Sequence, residues 1–178
     1  MTTIINILTL SRIFLAAIIY VLLMSPEGYF LALVLFLLAG VTDYFDGYLA
    51  RKYNAVSQLG EILDPIADKI LILFVLFGLA INLSSYLIGF IGATIITREI
   101  WVGALRDINA RNRKSDATKV TFLAKIKTTI QLFTISIYLL GLALNNMLFI
   151  IIGDVLLLIS LLITIYTGFI YTYKTFSG

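Results

Sequence analysis

Six long apolar runs constrain the fold of this chain more than any other feature of its sequence. Each has about 17 to 25 residues, the length that an α-helix needs to cross the hydrocarbon core of a bilayer. Hydrophobic residues make up 61% of the 178 positions, far above the share found in soluble proteins. We therefore predict an all-α integral membrane protein, a bundle of six transmembrane helices that forms one domain over residues 1–178. The runs cover residues 4–24, 29–48, 62–81, 86–105, 120–144 and 148–171.

The positive charges follow the longer breaks between the runs. Three short turns carry no Lys or Arg, whereas residues 51–60 and 106–119 form longer polar connections. All 13 Lys and Arg residues are at Arg12, at or near the two long connections, or at Lys174. The positive-inside rule then places both termini and both long connections on the cytoplasmic side. The N-terminus has no basic region and no small-residue cleavage site, so we expect the first run to be retained as a helix.

The composition excludes several kinds of chemistry. The chain has no Cys and no His, which excludes disulfides, thiolate nucleophiles, thiolate metal sites and the commonest general base. Acid–base chemistry therefore falls to Asp, Glu, Lys or Tyr. We expect membrane lipids, and no nucleic acid, among the partners.

Four aspartates lie in the segment VTDYFDGYLARKYNAVSQLGEILDPIADK at residues 41–69. The pattern is D-x-x-D-G-x-x-A-R, then eight residues, then G-x-x-x-D-x-x-x-D. Spacings of three and four residues place each pair on one face of a helix, and a helical hairpin would bring both pairs together. The aspartates are Asp43, Asp46, Asp64 and Asp68.

Carboxylates that converge in this way need cations. Two ionised groups about 6 Å apart repel by roughly 3 kcal/mol at an effective dielectric constant of about 20. Carboxylate oxygens without His or Cys favour Mg²⁺ or Mn²⁺, with Ca²⁺ as a further option, over zinc or copper. Two such ions bridged by aspartates form the clamp used for displacement at phosphorus. The alternative is a set of ordinary solvated aspartates, but a chance match of all the fixed positions is of the order of 10⁻⁹.

At these residues the chain resembles the CDP-alcohol phosphatidyltransferases, whose signature is this pattern at this spacing. The resemblance implies a six-helix membrane enzyme, usually a homodimer, that uses two divalent cations to move a substituted phosphoryl group from a CDP-alcohol to an acceptor hydroxyl. We expect Asp43, Asp46 and Asp64 to bind the metals, and Asp68 to act both as a metal ligand and as the general base.

Seven further residues are expected to bind CDP-diacylglycerol. Three of them recur at every third position of the first run and share a face; family members often carry N-x-x-T-x-x-R here, lining the nucleotide cavity. The alternative for the arginine is a snorkelling side chain at a helix end. Glycines allow a ligand to approach the backbone, or helices to pack closely, and an arginine can pair with a diphosphate or anchor the helix at the interface. The seven are Asn6, Thr9, Arg12, Gly47, Ala50, Arg51 and Gly60.

The fourth and fifth runs carry charged residues inside apolar sequence. The order T-R-E, then Arg, then K-x-K-T resembles the bacterial phosphatidylglycerophosphate synthases, a group within the family. That resemblance implies that Arg106, Lys125 and Lys127 bind the phosphate of glycerol 3-phosphate, and we include Arg98 and Thr128 in the predicted pocket. The alternative for Arg98 is a structural ion pair with its neighbour Glu99. Many members have Gly where this chain has Ala, at position 124.

Two other positions are expected to be structural. Pro65 marks a helix start near Ile62, because a missing amide hydrogen costs little in a first turn. Asp154 lies within the sixth run, where a polar contact between helices or across a dimer interface is the default interpretation.

The resemblance implies transfer of the phosphatidyl group from CDP-diacylglycerol to glycerol 3-phosphate, which gives phosphatidylglycerophosphate and CMP in phospholipid biosynthesis. The expected location is the bacterial cytoplasmic membrane, crossed several times, with the active site facing the cytoplasm. One alternative keeps the family and changes the acceptor to inositol phosphate or serine; the basic residues favour an acceptor that carries a phosphate. An ion-coupled membrane transporter is the alternative from another class, since intramembrane acids often mark ion pathways.

Overall fold

The computed structural model describes residues 2–52, 58–112 and 122–177. Within these ranges the side chains at 2–8, 44, 46–52, 58–59, 61–62, 122 and 124–125 lie outside the description. The described backbone is all helical, in agreement with the predicted fold class. Its six α-helices are α1 (Thr2–Leu22), α2 (Tyr29–Lys52), α3 (Gln58–Asn82), α4 (Tyr86–Arg111), α5 (Phe122–Ala143) and α6 (Met147–Phe176).

The outer surface is more apolar than that of a soluble protein, and several polar or charged side chains are buried. The outer surface exposes large apolar side chains such as Phe14 and Phe169, which are 71% and 72% exposed. Buried positions include Arg12, Lys127 and Gln131. Since charged groups within a membrane protein face its interior, this arrangement fits a bundle surrounded by lipid.

Helix lengths support the same conclusion. Four stretches among the described residues are long and apolar enough to cross a membrane, and α1 contributes a shorter apolar stretch, Thr9–Leu22. The chain is thus a multi-pass membrane protein. The four stretches are Pro26–Asp43, Tyr86–Arg111, Ile126–Ala143 and Met147–Phe176.

The helices pack as a closed ring in the order α1, α3, α4, α6, α5, α2 and back to α1, and α3 also contacts α5 across the ring. Fully buried Ala16, Ala32 and Ala39 lie on α1 and α2, where small side chains let the two backbones approach closely. The main core, which includes Leu79 and Tyr138, draws on every helix of the ring. This packing fixes the relative positions of α1, α2 and α3, the three helices that carry the predicted acid site.

Two tight turns with the same geometry join α3 to α4 and α5 to α6. Ser84 and Asn145 both have a φ of 48°, the left-handed conformation that ends many helices. The next amides, of Ser85 and Asn146, each donate to a carbonyl five residues earlier at 2.9 Å. The same two residues then cap the following helix with their side chains. Each turn therefore ends one helix and starts the next within a few residues.

The turn from α1 to α2 is equally compact. It contains a short 3-10 segment, Pro26–Gly28, and a Cβ atom at Gly28 would overlap the carbonyl oxygen of Leu22. Asn82 ties this turn to the end of α3, because its side-chain amide donates to the Leu23 carbonyl at 2.7 Å and to the Tyr29 hydroxyl at 2.6 Å.

The predicted start of the third helix near Ile62 is wrong. α3 begins at Gln58, so Pro65 lies inside the helix. A proline at an interior position removes one intrahelical hydrogen bond but does not prevent the helix from continuing when the surrounding packing supports it. Asp64 and Asp68 consequently lie in the second and third turns of α3, well inside the helix and not at its first residues.

Candidate active site

The described aspartates of the signature are brought together by α1. Asp43 lies in the last part of α2, and Asp64 and Asp68 lie in the first part of α3. Thr9 and Arg12, three residues apart on α1, face them. The Thr9 hydroxyl donates to Oδ1 of Asp64 at 2.7 Å, and Arg12 contacts the other two carboxylates.

Arg12 is the counter-ion of the acid cluster. Its Nη1 atom lies 2.8 Å from Oδ1 of Asp43 and 2.5 Å from Oδ1 of Asp68. Because both carboxylates contact the same nitrogen, they lie side by side, and their repulsion is offset by a charge-assisted hydrogen bond to each. Arg12 is only 1% exposed, so the alternative of a snorkelling arginine at a helix end is excluded.

The rest of the predicted acid site is only partly described. Gly60 is buried near the start of α3. Asn6 lies on α1, and four other predicted positions lie on α2, but the side chains at all five positions are outside the described part of the structure. The four on α2 are Asp46, Gly47, Ala50 and Arg51. Among the described residues no group of three or more acids is placed to hold a metal ion. The two-metal cluster therefore stays a prediction. The donors that are described, carboxylate oxygens grouped around Arg12, are of the type that hard divalent ions prefer.

Next to the acid cluster, a cavity of about 220 Å³ opens between α3, α4 and α5. Its wall combines charged side chains with apolar ones from Ile72, Ile95 and Ile96. The charged lining residues are Asp68, Lys69, Arg98, Glu99, Arg106 and Lys127.

Glu99 is the centre of the charged wall. Its Oε1 atom accepts from Arg98 Nη1 at 2.8 Å and from the ammonium of Lys127. Its Oε2 atom lies 3.9 Å from Nζ of Lys69. One carboxylate thus contacts three cations contributed by α3, α4 and α5.

Arg98 is held from the opposite side by α6. Its Nη2 donates to the Thr167 hydroxyl at 2.7 Å, and its guanidinium carbon lies 5.6 Å from the centre of the Tyr171 ring, a cation–π distance. Gly168 leaves space for the Arg98 stem, since a Cβ atom there would lie 3.1 Å from Cγ of Arg98. Arg98 thus forms the ion pair with Glu99 that was the alternative interpretation, and it also lines the cavity as the predicted pocket requires.

Most of the predicted acceptor residues line this cavity. Arg98, Arg106, Lys127 and Thr128 are all in its wall, whereas the side chain of Lys125 lies outside the described residues. The sequence-based set omitted four polar contributors: Lys69 and Gln131 in the wall, Glu99 as the common ion-pair partner, and Thr167 behind Arg98. Lys69 follows Asp68 directly in the sequence, which was the available signal. Nothing in the sequence indicates that Thr167 contacts Arg98.

Asp68 belongs both to the acid cluster around Arg12 and to the wall of the cavity that contains the cations. It lines the larger cavity, and it also lines a smaller one of about 80 Å³ together with Arg12, Gly40 and Asp43. A carboxylate in this position can accept a proton from a ligand in the larger cavity while it faces the acid cluster on the other side. Thr128 is in the wall of both cavities as well.

Asp154 lies outside both cavities and serves the packing of α5 on α6. Its Oδ1 accepts from the Tyr138 hydroxyl at 2.6 Å. Gly153 provides room for the Tyr138 ring, because a Cβ atom there would lie 2.8 Å from it. The expectation of a polar contact between helices is confirmed.

Comparison with known proteins agrees with this geometry. The sequence profile of the family described as CDP-alcohol phosphatidyltransferase matches residues 2–166. A Rickettsia bellii (strain RML369-C) protein named CDP-diacylglycerol--glycerol-3-phosphate 3-phosphatidyltransferase is 40% identical over 171 residues, 93% of this chain and 91% of the relative. Proteins of the same name share 38% identity over 169 residues in Rickettsia typhi (strain ATCC VR-144 / Wilmington), 93% of each chain. In Escherichia coli (strain K12) the identity is 35% over 133 residues, 74% of this chain and 73% of the relative.

Proposed function

Because the chain belongs to the CDP-alcohol phosphatidyltransferase family, we propose that it transfers the phosphatidyl group of CDP-diacylglycerol to glycerol 3-phosphate. The products are phosphatidylglycerophosphate and CMP, and the activity is the one named for the relatives. The observation that carries this proposal is the position of Asp68, in the wall shared by an acid cluster and a cavity rich in cations.

The acid cluster holds the nucleotide end of the donor. Four carboxylates, those of Asp43, Asp46, Asp64 and Asp68, would hold two divalent cations, Mg²⁺ or Mn²⁺. When bound, such ions neutralise the diphosphate and stabilise charge that develops at phosphorus. The donor's CDP moiety lies against α1 and the start of the hairpin, at Asn6, Thr9, Arg12, Gly47, Ala50, Arg51 and Gly60.

The larger cavity holds the acceptor. Its wall carries four cations, Lys69, Arg98, Arg106 and Lys127, against the two carboxylates of Asp68 and Glu99. The surplus of two positive charges matches a phosphate monoester dianion. Arg98, Arg106, Lys125, Lys127 and Thr128 bind that phosphate, because charge-assisted contacts from several directions are the strong ones.

Asp68 is the general base of the transfer. With the acceptor's phosphate on the basic wall, the primary hydroxyl at the other end of the glycerol faces Asp68, which takes its proton. The alcohol oxygen then attacks the phosphorus on the lipid side of the diphosphate, and CMP leaves. The isoleucines of the wall limit the access of water, which would otherwise compete as the nucleophile.

The charge pattern and the family support a proposal for the setting of the enzyme. Residues 1–178 form one membrane domain in the bacterial cytoplasmic membrane. Both long connections are rich in Lys and Arg, and the positive-inside rule places them, with the active site, at the cytoplasmic face. The protein is a homodimer, as is usual among the enzymes that it resembles.

Release of CMP by the purified protein tests the proposal. The assay uses CDP-diacylglycerol with glycerol 3-phosphate, glycerol, serine or inositol phosphate as acceptor. We expect turnover with glycerol 3-phosphate, none after thorough chelation, and recovery with Mg²⁺ or Mn²⁺. Equal rates with glycerol and glycerol 3-phosphate would refute the acceptor assignment, and full activity in chelator would refute the metal site.

A further inference from the structure

Gln131 is a buried polar residue whose amide nitrogen is left unpaired by the part of the chain that the structure describes. It lies on α5, is 4% exposed and lines the acceptor cavity of about 220 Å³. Its Nε2 atom has no hydrogen-bond partner among the residues that the structure describes. Buried amides are nearly always paired, so an unpaired one in the wall of a cavity indicates a ligand group that completes it.

The amide differs in kind from the groups around it. Apart from Thr128 and Gln131, every polar side chain in the cavity wall is charged. Charges suit the phosphate of an acceptor, whereas a neutral carboxamide both donates and accepts hydrogen bonds and suits an alcohol. The cavity therefore contains one group of the type that recognises a hydroxyl and is not already engaged.

The position of Gln131 on the helix fits this role. It is four residues from Lys127, so the two side chains share a face of α5, with Cβ atoms about 6 Å apart. Asp68, Lys127 and Gln131 line the same cavity, so a ligand whose phosphate contacts Lys127 and whose reacting hydroxyl faces Asp68 shares that cavity with Gln131. In glycerol 3-phosphate the group between those two ends is the hydroxyl on the central carbon.

We propose that the side-chain amide of Gln131 binds this central hydroxyl and makes the enzyme select a phosphorylated polyol over a simple phosphorylated alcohol. The inference rests on the proposed function, since it concerns the same acceptor cavity. Gln131 is a specificity-determining residue that contacts the acceptor but takes no part in proton transfer.

The test compares two acceptors, glycerol 3-phosphate and 3-hydroxypropyl phosphate, which has the same phosphate and primary hydroxyl but lacks the central hydroxyl. In the unmodified enzyme we expect kcat/KM to favour glycerol 3-phosphate at least about tenfold, the effect of one buried hydrogen bond. In Gln131→Met, which keeps the length of the side chain and removes its amide, the preference should fall to within about threefold. Gln131→Ala should show the same loss and replaces the Met variant if that protein does not accumulate.

Thr164→Val is the matched control. The Thr164 hydroxyl is also buried without a partner among the described residues, but it is not in the cavity wall, so its removal should leave the acceptor preference unchanged. The proposal is overturned if both Gln131 variants keep the full preference, if they lose activity with both acceptors equally, or if Thr164→Val abolishes the preference. Turnover of glycerol 3-phosphate without any preference in the unmodified enzyme removes this inference alone, whereas no turnover of glycerol 3-phosphate removes the proposed function with it.

Discussion

The acid and basic halves of the site are arranged as opposites. In the acid half one cation, Arg12, contacts the carboxylates of Asp43 and Asp68. In the basic half one carboxylate, Glu99, contacts the cations of Arg98, Lys127 and Lys69. Each half thus contains a counter-ion supplied by its own helices, so each can assemble without its ligand.

The two halves differ in which charges are exposed. The acids are open, since the side chains of Asp43 and Asp68 are 46% and 42% exposed around a buried guanidinium. In the basic half two cations are enclosed, with the side chains of Lys127 and Arg98 only 5% and 9% exposed, whereas the side chain of Lys69 is 45% exposed and Arg106 is exposed as well. The acid half therefore has exposed charges around a buried counter-ion, whereas the basic half has two buried cations at its centre and two exposed ones at its edge.

The largest effect is expected from Asp68, the residue common to both halves. Asp68→Asn removes the proposed proton acceptor and should lower kcat at least about 100-fold. CMP release measures the rate, and CDP-diacylglycerol binding should be largely kept because the other aspartates remain. Asp154→Asn is the control, since Asp154 lies outside both cavities. A rate above about one tenth of the unmodified enzyme, a loss of less than about 1.4 kcal/mol, would show that Asp68 is not the base.

The next effect tests the basic half alone. Lys127→Ala removes one charge-assisted contact to the acceptor's phosphate, worth about 1.5 to 3 kcal/mol, and should raise KM for glycerol 3-phosphate about tenfold or more. KM for CDP-diacylglycerol should hardly change. Lys174→Ala, a lysine in the last turn of α6, serves as the control. If Lys127 only anchors α5, both KM values will stay the same and the amount of protein in the membrane will fall.

A smaller effect compares the two counter-ions directly. Arg12→Met leaves two acids side by side, and Glu99→Gln leaves enclosed cations without a partner, so each should destabilise the protein by about 2 kcal/mol, since the partners are partly hydrated. Melting temperatures in detergent should recover with opposite ligands, Mg²⁺ for Arg12→Met and inorganic phosphate for Glu99→Gln. Recovery of both variants by the same ion would contradict the division of the site into an acid and a basic half.

The smallest effect lies outside both halves. Tyr138→Phe removes the hydrogen bond to Asp154 between α5 and α6 and should lower stability by about 1 kcal/mol without changing either KM. Thermal unfolding and CMP release on the same preparation measure the two quantities. A change in KM for either substrate would show that the α5–α6 contact is coupled to the site.

The fold could be predicted well from the sequence because membrane helices are recognised by the length and apolarity of their segments. Each predicted run coincides with a helix, and most of the differences are at the ends. α3 starts earlier than predicted because Pro65 was taken as a helix start, and α6 continues to Phe176 because its polar last turns do not interrupt the backbone hydrogen bonds.

The site was predictable in its residues but not in its pairings. The spacing of Asp64 and Asp68 follows from helix geometry, whereas the contact of Arg12 with Asp68 joins residues 56 positions apart in the sequence. The bond between Glu99 and Lys127 spans 28 positions. Such contacts depend on how helices are rotated against one another, which a repeating apolar pattern in a lipid-exposed helix specifies weakly.

The compact turns on the side away from the site have a mechanical consequence. At Ser84 and Asn145 neighbouring helices are joined with almost no slack, and Asn82 fastens a third turn to α3. Helices that are joined by tight turns at one end of the bundle can separate only at the opposite end. We therefore expect the bundle to open more readily at the end that carries the site. Spin labels at that end of α2 and α5 should report a broader range of distances than labels beside the turns.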